Sequence, residues 1–229
     1  MSQEVVTYYE DFNEIEKKIW GLLTNAVKDR SSEFRTPVFI CGNDKDLDGR
    51  VVVVRKADQQ NNFVQYHSDI RSSKIEKIKN NPNCSILFYG KQEKIQLRFK
   101  TECKVHFNDD VTKESWDKTG HISRKCYLVT TGPGTESETP TSGLDNKFDN
   151  FDFTKEESEA GYKNFCVIRC KIKNNLNCSM LFYGKEEKIQ IRLKTECKVH
   201  FDDEITKESW EKTGHISRKC YLVTNGPGT

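Results

Sequence analysis

The sequence has no apolar stretch close to the roughly 20 residues that a membrane-spanning helix requires. No glycine-rich phosphate loop follows a predicted strand, which excludes a P-loop or a Rossmann nucleotide site. No Cys-x-x-Cys pair occurs, so the spacing typical of structural zinc sites is missing and we predict no metal. The acidic first residues lack the apolar core of a secretory signal. We therefore expect a cytoplasmic protein without a membrane segment.

An excess of charge of one sign is also missing. The chain has 37 Lys and Arg against 35 Asp and Glu, a net charge of +2, which is too balanced to indicate a nucleic-acid partner. Its nine cysteines are odd in number and accompany no export signal, so they do not indicate a disulfide framework. We expect these cysteines to be reduced.

The sequence does contain a repeat. Residues 77–135 align without gaps with residues 171–229, at an offset of 94 positions, and 49 of the 59 aligned pairs are identical. Two copies with a long segment between them do not form a solenoid. We predict that residues 1–172 form the functional domain and that residues 173–229 are a partial duplicate of residues 79–135 without a separate function.

Period-two patterning dominates the middle of the chain. Between Lys94 and Phe107, apolar or small side chains alternate with polar ones over 14 residues, as in a strand with one buried face. The pattern predicts helices over 11–30, 74–80 and 112–127, further strands over 36–41, 50–55, 63–67, 83–89 and 164–172, and a turn over 42–49. Strands joined by hairpin-sized turns, with few helices, favour a mainly β fold: an antiparallel β-barrel with flanking helices.

A cluster of polar residues stands at the start of one predicted helix. These residues are Arg71, Ser72, Ser73 and Lys74. Unpaired N–H groups and the helix dipole favour an anion at such a position, and the basic side chains suit a phosphate dianion. The alternative is that Ser73 only caps the helix, three residues before Glu76, and that the basic side chains are solvated.

Two arginines bracket the valine-rich strand that comes earlier in the chain. Arg50 and Arg55 are an odd number of positions apart, so a regular strand places them on opposite faces. They can serve one site only if Arg55 lies past the end of the strand or if a β-bulge intervenes.

Three runs of sequence, in this order, resemble a known family. They are RVVVVR at 50–55, FVQYHSDIRSSKIEKIKNNPNCSILFYG at 63–90 and KIQLRFKTECKV at 94–105. They are similar to the FMN-binding segment of the pyridoxamine 5'-phosphate oxidase-like family. That segment has Arg, four residues and Arg or Lys, then an aromatic-rich strand, Ser-x-Lys opening a helix, Asn-Pro, and Gln-x-Arg on a long strand. The resemblance covers about residues 36–107 and implies an FMN-binding split barrel.

The resemblance implies FMN as the cofactor and suggests its ligands. Arg50 and Arg55 would bind the phosphate and ribityl region, Lys74 would bind the phosphate, and Gln96 would face the isoalloxazine ring. A histidine and a serine at the end of the preceding strand would add backbone and hydroxyl contacts. The full set of candidate cofactor-binding residues is Arg50, Arg55, His67, Ser68, Ser73, Lys74 and Gln96.

The resemblance also implies a homodimer with FMN between the subunits. The flavin performs the hydride or electron transfer, so no side chain is assigned as catalytic. Ser72-Ser73-Lys74 stands where the oxidases have Ser-Arg-Lys, and the repeat stands where their C-terminal closing strand would follow. The prediction is an FMN-dependent oxidoreductase of unknown substrate. The alternatives are a flavin-binding protein without turnover and a split barrel that binds haem or another anionic ligand.

The second copy lacks most of the candidate phosphate site. It contains Gln190 and Arg192 but no counterparts of residues 50–76. We predict that it cannot bind FMN alone, and that it can pair as strands against the first copy, mimicking part of a dimer partner.

Overall fold

The computed structural model describes residues 12–43, 45–173, 178–183 and 188–193. The helices are α1 (Phe12–Lys28), α2 (Ser73–Asn80), α3 (Asp110–Asp117), α4 (His121–Arg124), α5 (Asn146–Asp149) and α6 (Lys155–Ser158). The strands are β1 (Val38–Asn43), β2 (Asp46–Val51), β3 (Val54–Asp58), β4 (Phe63–Asp69), β5 (Asn83–Gly90), β6 (Ile95–His106), β7 (Phe165–Ile172), β8 (Cys178–Tyr183) and β9 (Lys188–Leu193). Short 3-10 turns cover Glu33–Arg35, Lys125–Tyr127 and Glu159–Asn164.

The sheet is antiparallel, with the strand order β2-β1-β5-β6-β7-β4-β3. Its two end strands, β2 and β3, are separated in the chain only by Val52 and Val53. Because β2 pairs with β1 while β3 pairs with β4, the segment 46–58 joins both ends of the sheet. The sheet is thereby closed into a barrel, which confirms the predicted mainly β class.

The strand predicted over 50–55 is wrong in one respect, because it is two strands. The chain must leave the ladder with β1 and join the ladder with β4, so regular pairing stops after Val51 and resumes at Val54. The β3–β4 register then shifts between Val54 and Lys56, which places a β-bulge at Arg55.

The core lies inside this barrel and under α1. The inward side chains include Phe39, Ile86 and Phe99, and α1 adds Ile15 and Leu23 from its apolar face. All five are at most 3% exposed, so they exclude water from the centre of the domain. Helix α1 ends where the Arg35 guanidinium donates 2.9 Å hydrogen bonds to the carbonyls of Ala26 and Val27, which satisfies groups left open at a helix C-terminus.

The alternation predicted along β6 is confirmed from Ile95 to Cys103, whose odd-numbered positions are buried. It fails at the end, where His106 is buried and Phe107 is exposed. The reason is that β6 ends at His106, whose Nδ1 lies 2.7 Å from the Asp109 carboxylate at the start of α3. The strand therefore gives way to a helix cap before Phe107 can point inward.

Two other boundaries also differ from prediction. The turn predicted over 42–49 is shorter, because β1 and β2 pair as far as Asn43 and Asp46, and the Asn43 side chain accepts the N–H of Asp46. The helix predicted over 112–127 is broken at Gly120 into α3, α4 and a 3-10 turn.

The second copy contributes a hairpin, β8–β9, to the same sheet. Strand β8 pairs with residues 95–98 of β6, on the edge that β7 occupies at residues 101–106. This is the pairing against the first copy that the repeat predicts. Tyr89 pairs with Gln96, whereas its copy Tyr183 pairs with Lys188, the copy of Lys94, so the second hairpin is shifted by two positions. The rest of the predicted duplicate lies outside the described residues.

Candidate functional site

Two basic side chains converge on one serine at the start of α2. Ser72 Oγ accepts hydrogen bonds from Arg50 Nη1 at 3.3 Å and from Lys74 Nζ at 3.0 Å. Ser72 is the N-cap residue of α2, yet its side chain makes no capping hydrogen bond. The predicted cap by Ser73 is therefore wrong: Ser73 is the first helical residue and is exposed, while the true N-cap hydroxyl is held by the two cations.

This cationic cluster, formed by Arg50, Ser72 and Lys74, is short of negative charge. Lys74 is only 9% exposed, and no carboxylate in the described part of the chain forms an ion pair with it. Burial lowers the pKa of Lys74, and the nearby charge of Arg50 lowers it further. Arg50 has a carboxylate partner in Asp48, but its Nε is buried and unpaired. Because buried charges are normally paired, the cluster fits an anion.

Arg55 acts on a different neighbour. It is the exposed bulge residue of β3, and among the described residues it has no ion-pair partner. Burial lowers the pKa of His67 to about 3, and the charge of Arg55 contributes to that shift. His67 is consequently neutral at physiological pH. Arg50 and Arg55 are not hydrogen-bonded into one cluster, although the bulge predicted as a condition for their cooperation is present.

His67 and Ser68 point to opposite faces of β4. The His67 ring packs edge-on against Phe165, with centroids 4.8 Å apart. Ser68 is buried, its hydroxyl bonds to the Asp69 carbonyl at 3.3 Å, and its own carbonyl accepts from Cys166. The two side chains cannot both line one pocket, so a shared ligand contact would use one side chain and the backbone of the other.

Arg71, named with the helix-start residues in the sequence, is engaged elsewhere. Its guanidinium binds both carboxylate oxygens of Asp69, at 3.0 and 2.7 Å, and also donates to the carbonyls of Val129 and Thr130. Its charge is therefore balanced and holds the loop at 129–130, so it does not join the cationic cluster.

Gln96 lies on the other side of the sheet from the cationic cluster. It pairs with Tyr89, which is 50% exposed, on the outer face. Arg50 pairs with Phe39, which is fully buried, on the inner face. Since directly opposed residues share a face, one chain presents Gln96 and Arg50 to opposite sides. The predicted site is thus divided within a single chain.

Gln96 belongs to an exposed apolar surface that we call the outer apolar face. Leu47 and Val51 on β2 are 69% and 65% exposed, and Tyr89 on β5 is half exposed. Val51 pairs with Val38, which in turn pairs with Leu87, so apolar side chains continue across three neighbouring strands. Contiguous apolar surface of this kind is typical of an interaction site.

One member of the site was missed in the sequence, and another was given too small a role. Asp48 stands two positions before Arg50 and therefore shares its face of β2, which is the one signal that could have revealed the pair. Ser72 was visible as the first residue of Ser-x-Lys, but a helix-capping pattern drew attention to Ser73 instead.

The described residues offer neither a membrane-spanning helix nor a metal site. Residues 12–43, 45–173, 178–183 and 188–193 contain no helix with the length and apolarity needed to cross a bilayer. The same residues contain no group of three or more His, Cys, Asp or Glu placed to hold a metal ion.

Comparison with known proteins relates part of the chain to one family. Residues 21–107, which include the whole cationic cluster and Gln96, match the family model described as pyridoxamine 5'-phosphate oxidase, FMN-binding domain. A pyridoxamine 5'-phosphate oxidase-related, FMN-binding protein of Nostoc punctiforme PCC 73102 is similar in structure, with a TM-score of 0.54, 15% identity, and coverage of 78% of this chain and 96% of that one. PhzG of Burkholderia lata 383, solved with tetrahydrophenazine-1-carboxylic acid, has a TM-score of 0.55, 11% identity, and coverage of 85% and 98%. Because the identities are this low, the similarity of the two structures to this chain concerns the fold alone. No curated protein sequence matches the chain significantly.

Proposed function

We propose that this chain, whose residues 21–107 match the family model of the pyridoxamine 5'-phosphate oxidase FMN-binding domain, binds FMN with the phosphate in the cationic cluster. The observation that carries the proposal is Lys74, an ammonium group that is 9% exposed and lacks a carboxylate partner among the described residues. A phosphate monoester supplies up to two negative charges near pH 7.

The donors of the cluster fit such a group. The buried and unpaired Nε of Arg50 supplies an N–H, and Lys74 supplies ammonium hydrogens beyond the one that Ser72 accepts. The Ser72 hydroxyl, held between the two cations, is placed to donate to a phosphate oxygen. Burial, and after it the charge of Arg50, lowers the pKa of Lys74, and an anion bound here would offset the repulsion between the two cations.

We further propose that the protein is an FMN-dependent oxidoreductase of unassigned substrate. FMN, when bound, supplies hydride or electron transfer. The residues of this chain bind and orient the cofactor: Arg50 and Lys74 fix its phosphate end, and Arg55 offers an exposed guanidinium beside the same strand region. His67 stays neutral above its pKa of about 3, so it adds no positive charge at physiological pH.

We also propose a homodimer, because one chain leaves the site divided. Gln96 and Arg50 face opposite sides of the sheet, so a ligand held by the cluster of one protomer can meet Gln96 only from a second protomer. The outer apolar face carries Gln96 and exposes Leu47 and Val51, which suits it for burial between two copies.

Titration of the apo-protein with FMN and, separately, with riboflavin tests the cofactor proposal. We expect saturation at one FMN per chain and much weaker riboflavin binding, because riboflavin lacks the phosphate. Arg50→Ala or Lys74→Ala should each weaken FMN binding by roughly 10- to 100-fold, since each removes a charge-assisted hydrogen bond.

Lys79→Ala is the matched control, because Lys79 is an exposed lysine of the same helix, and it should bind FMN as the unaltered chain does. Equal affinity for FMN and riboflavin would remove the phosphate role from the cluster. For the oxidoreductase proposal, the bound flavin should be bleached by NADPH or a reduced B6 compound without oxygen and regain its absorbance when oxygen is admitted.

A further inference from the structure

Five thiols belong to the buried core of the barrel, apart from the proposed cofactor site. They share one core cluster, and each is at most 5% exposed: Cys41, Cys84, Cys103, Cys166 and Cys170. Tyr66 lies in the same core cluster, and its buried hydroxyl has no hydrogen-bond partner in the described part of the chain. The barrel interior therefore contains an unusually sulfur-rich region whose chemistry the proposed function does not use.

Two of these thiols face each other across neighbouring strands. Cys103 on β6 and Cys170 on β7 are directly opposed in the antiparallel register. Their sulfur atoms lie 2.9 Å apart. Directly opposed residues have Cα atoms about 4.5–5.5 Å apart, which is within the range that a disulfide spans. No movement of the strands is needed to bring the two sulfurs together.

We propose that Cys103 and Cys170 are an oxidation site, at which a low-molecular-weight disulfide converts the thiol pair into a disulfide that ties β6 to β7. Both protein S–H bonds break and one S–S bond forms. The S–S bond of the oxidant breaks, and it accepts the two electrons and two protons to leave as two thiols. The exchange passes through a mixed disulfide at one cysteine, which the other cysteine resolves.

The surroundings make this pair slow to react and durable once joined. The hydrogen bond to Cys170 raises the pKa of the Cys103 thiol, and burial adds to the increase. The interaction with Cys103, and after it burial, raises the pKa of the Cys84 thiol. The thiolate is the attacking form, so oxidation proceeds when the strands open, and reduction of the closed pair meets the same barrier.

The bond would constrain a long part of the chain. Cys103 and Cys170 are 67 positions apart, and a disulfide across such a separation restricts the unfolded state strongly. Because the two thiols already touch, the folded state would gain little strain. Oxidation is therefore expected to stabilise the barrel wall without altering the cationic cluster.

Incubation of the full chain in oxidised glutathione, followed by alkylation and peptide mass spectrometry, tests the proposal. We expect one peptide pair linked through Cys103 and Cys170, together with a rise in Tm of about 5 °C or more that dithiothreitol reverses. Cys170→Ala should abolish the linked pair and the rise. Cys84→Ala, a matched loss of a neighbouring buried thiol, should keep both.

The chain unfolded in urea serves as the reagent check, since all its cysteines become accessible. Free thiols at both Cys103 and Cys170 in the treated folded chain, with the urea sample fully oxidised, would overturn the proposal. So would a link from Cys103 to Cys84, because it would show that the opposed positions of β6 and β7 do not select the partner.

Discussion

At the scale of single residues, the site is shaped by the competition for one hydroxyl. A serine at a helix N-cap ordinarily accepts a backbone N–H and stabilises the helix by about 1 kcal/mol. Ser72 instead accepts from Arg50 and Lys74, so α2 begins without that contribution. The helix loses some local stability because Ser72 orients two cations instead of capping it, as expected at a binding site.

His67 provides a stability test at the same scale. Its pKa is about 3 in the folded chain against an ordinary 6.5, so below pH 6.5 the unfolded chain takes up a proton that the folded chain cannot. Stability is therefore lost as the pH falls from 6.5 towards 3. The loss between pH 6.5 and 4.5 is about 2 kcal/mol. His67→Phe keeps a ring against Phe165 and removes this titration, so its urea-unfolding free energy should fall less over that range. Parallel profiles for the two chains would contradict the burial of the imidazole.

Sequence alone could identify the cations but not their partners. Arg50 and Lys74 were predictable from an ordered motif, because residue type and spacing are properties of the chain. Their meeting at Ser72 depends on a long-range contact that brings the start of α2 to β2. The pairing of Arg50 with Asp48 is local, because the two residues are two positions apart on one strand. Which of two adjacent serines caps the helix also depends on those tertiary contacts, and the local pattern favoured the wrong one.

At the scale of elements, predictability follows the regularity of the environment. Strand β6 could be predicted because its odd positions face one continuous core from Ile95 to Cys103. The segment 46–58 could not, because it changes partners between Val51 and Val54 and carries a bulge at Arg55. A valine run looks the same whether the strand continues straight or turns a barrel corner, so only the pairing distinguishes them.

The outer apolar face gives a prediction about association. Val51→Lys places a charge in the middle of the face proposed to lie between two copies, so we expect a dimer in sedimentation analysis to become a monomer. The matched control is Ile122→Lys, which introduces the same charge at another exposed apolar position, 47% exposed on α4, and should remain dimeric. If the unaltered chain is a monomer at micromolar concentration, the divided site is not completed by a second copy.

At the scale of the whole molecule, the repeat adds strands to the sheet, and we predict that it adds no second cofactor site. Strand β8 continues the edge of β6, while the copied sequence begins after the counterparts of Arg50, Ser72 and Lys74. The first barrel contains both ends of its own sheet, and its last strand is fixed by a hydrogen bond from Lys173 N–H to the Lys100 carbonyl. The barrel therefore does not need the copy to close.

A chain ending at Lys173 tests this division. We expect it to fold, with the β-sheet circular dichroism of the full chain, and to bind one FMN per chain, because it retains the complete cationic cluster. The full chain should bind the same number, measured as flavin absorbance against protein mass. A ratio of two for the full chain would show that the copy holds a cofactor of its own. Binding only by the shortened chain would show that the copy obstructs the site.

The continuity of residues 46–58 also determines how the barrel is closed. Among the described residues, β2 pairs only with β1 and β3 pairs only with β4. The two end strands are therefore joined to each other by the backbone at Val52 and Val53 and not by hydrogen bonds between them. The barrel is thus closed at one place by the backbone itself. Cleavage of the peptide bond between Val52 and Val53 would leave every pair of hydrogen-bonded strands intact. The closed sheet would nevertheless become an open sheet with two free edges.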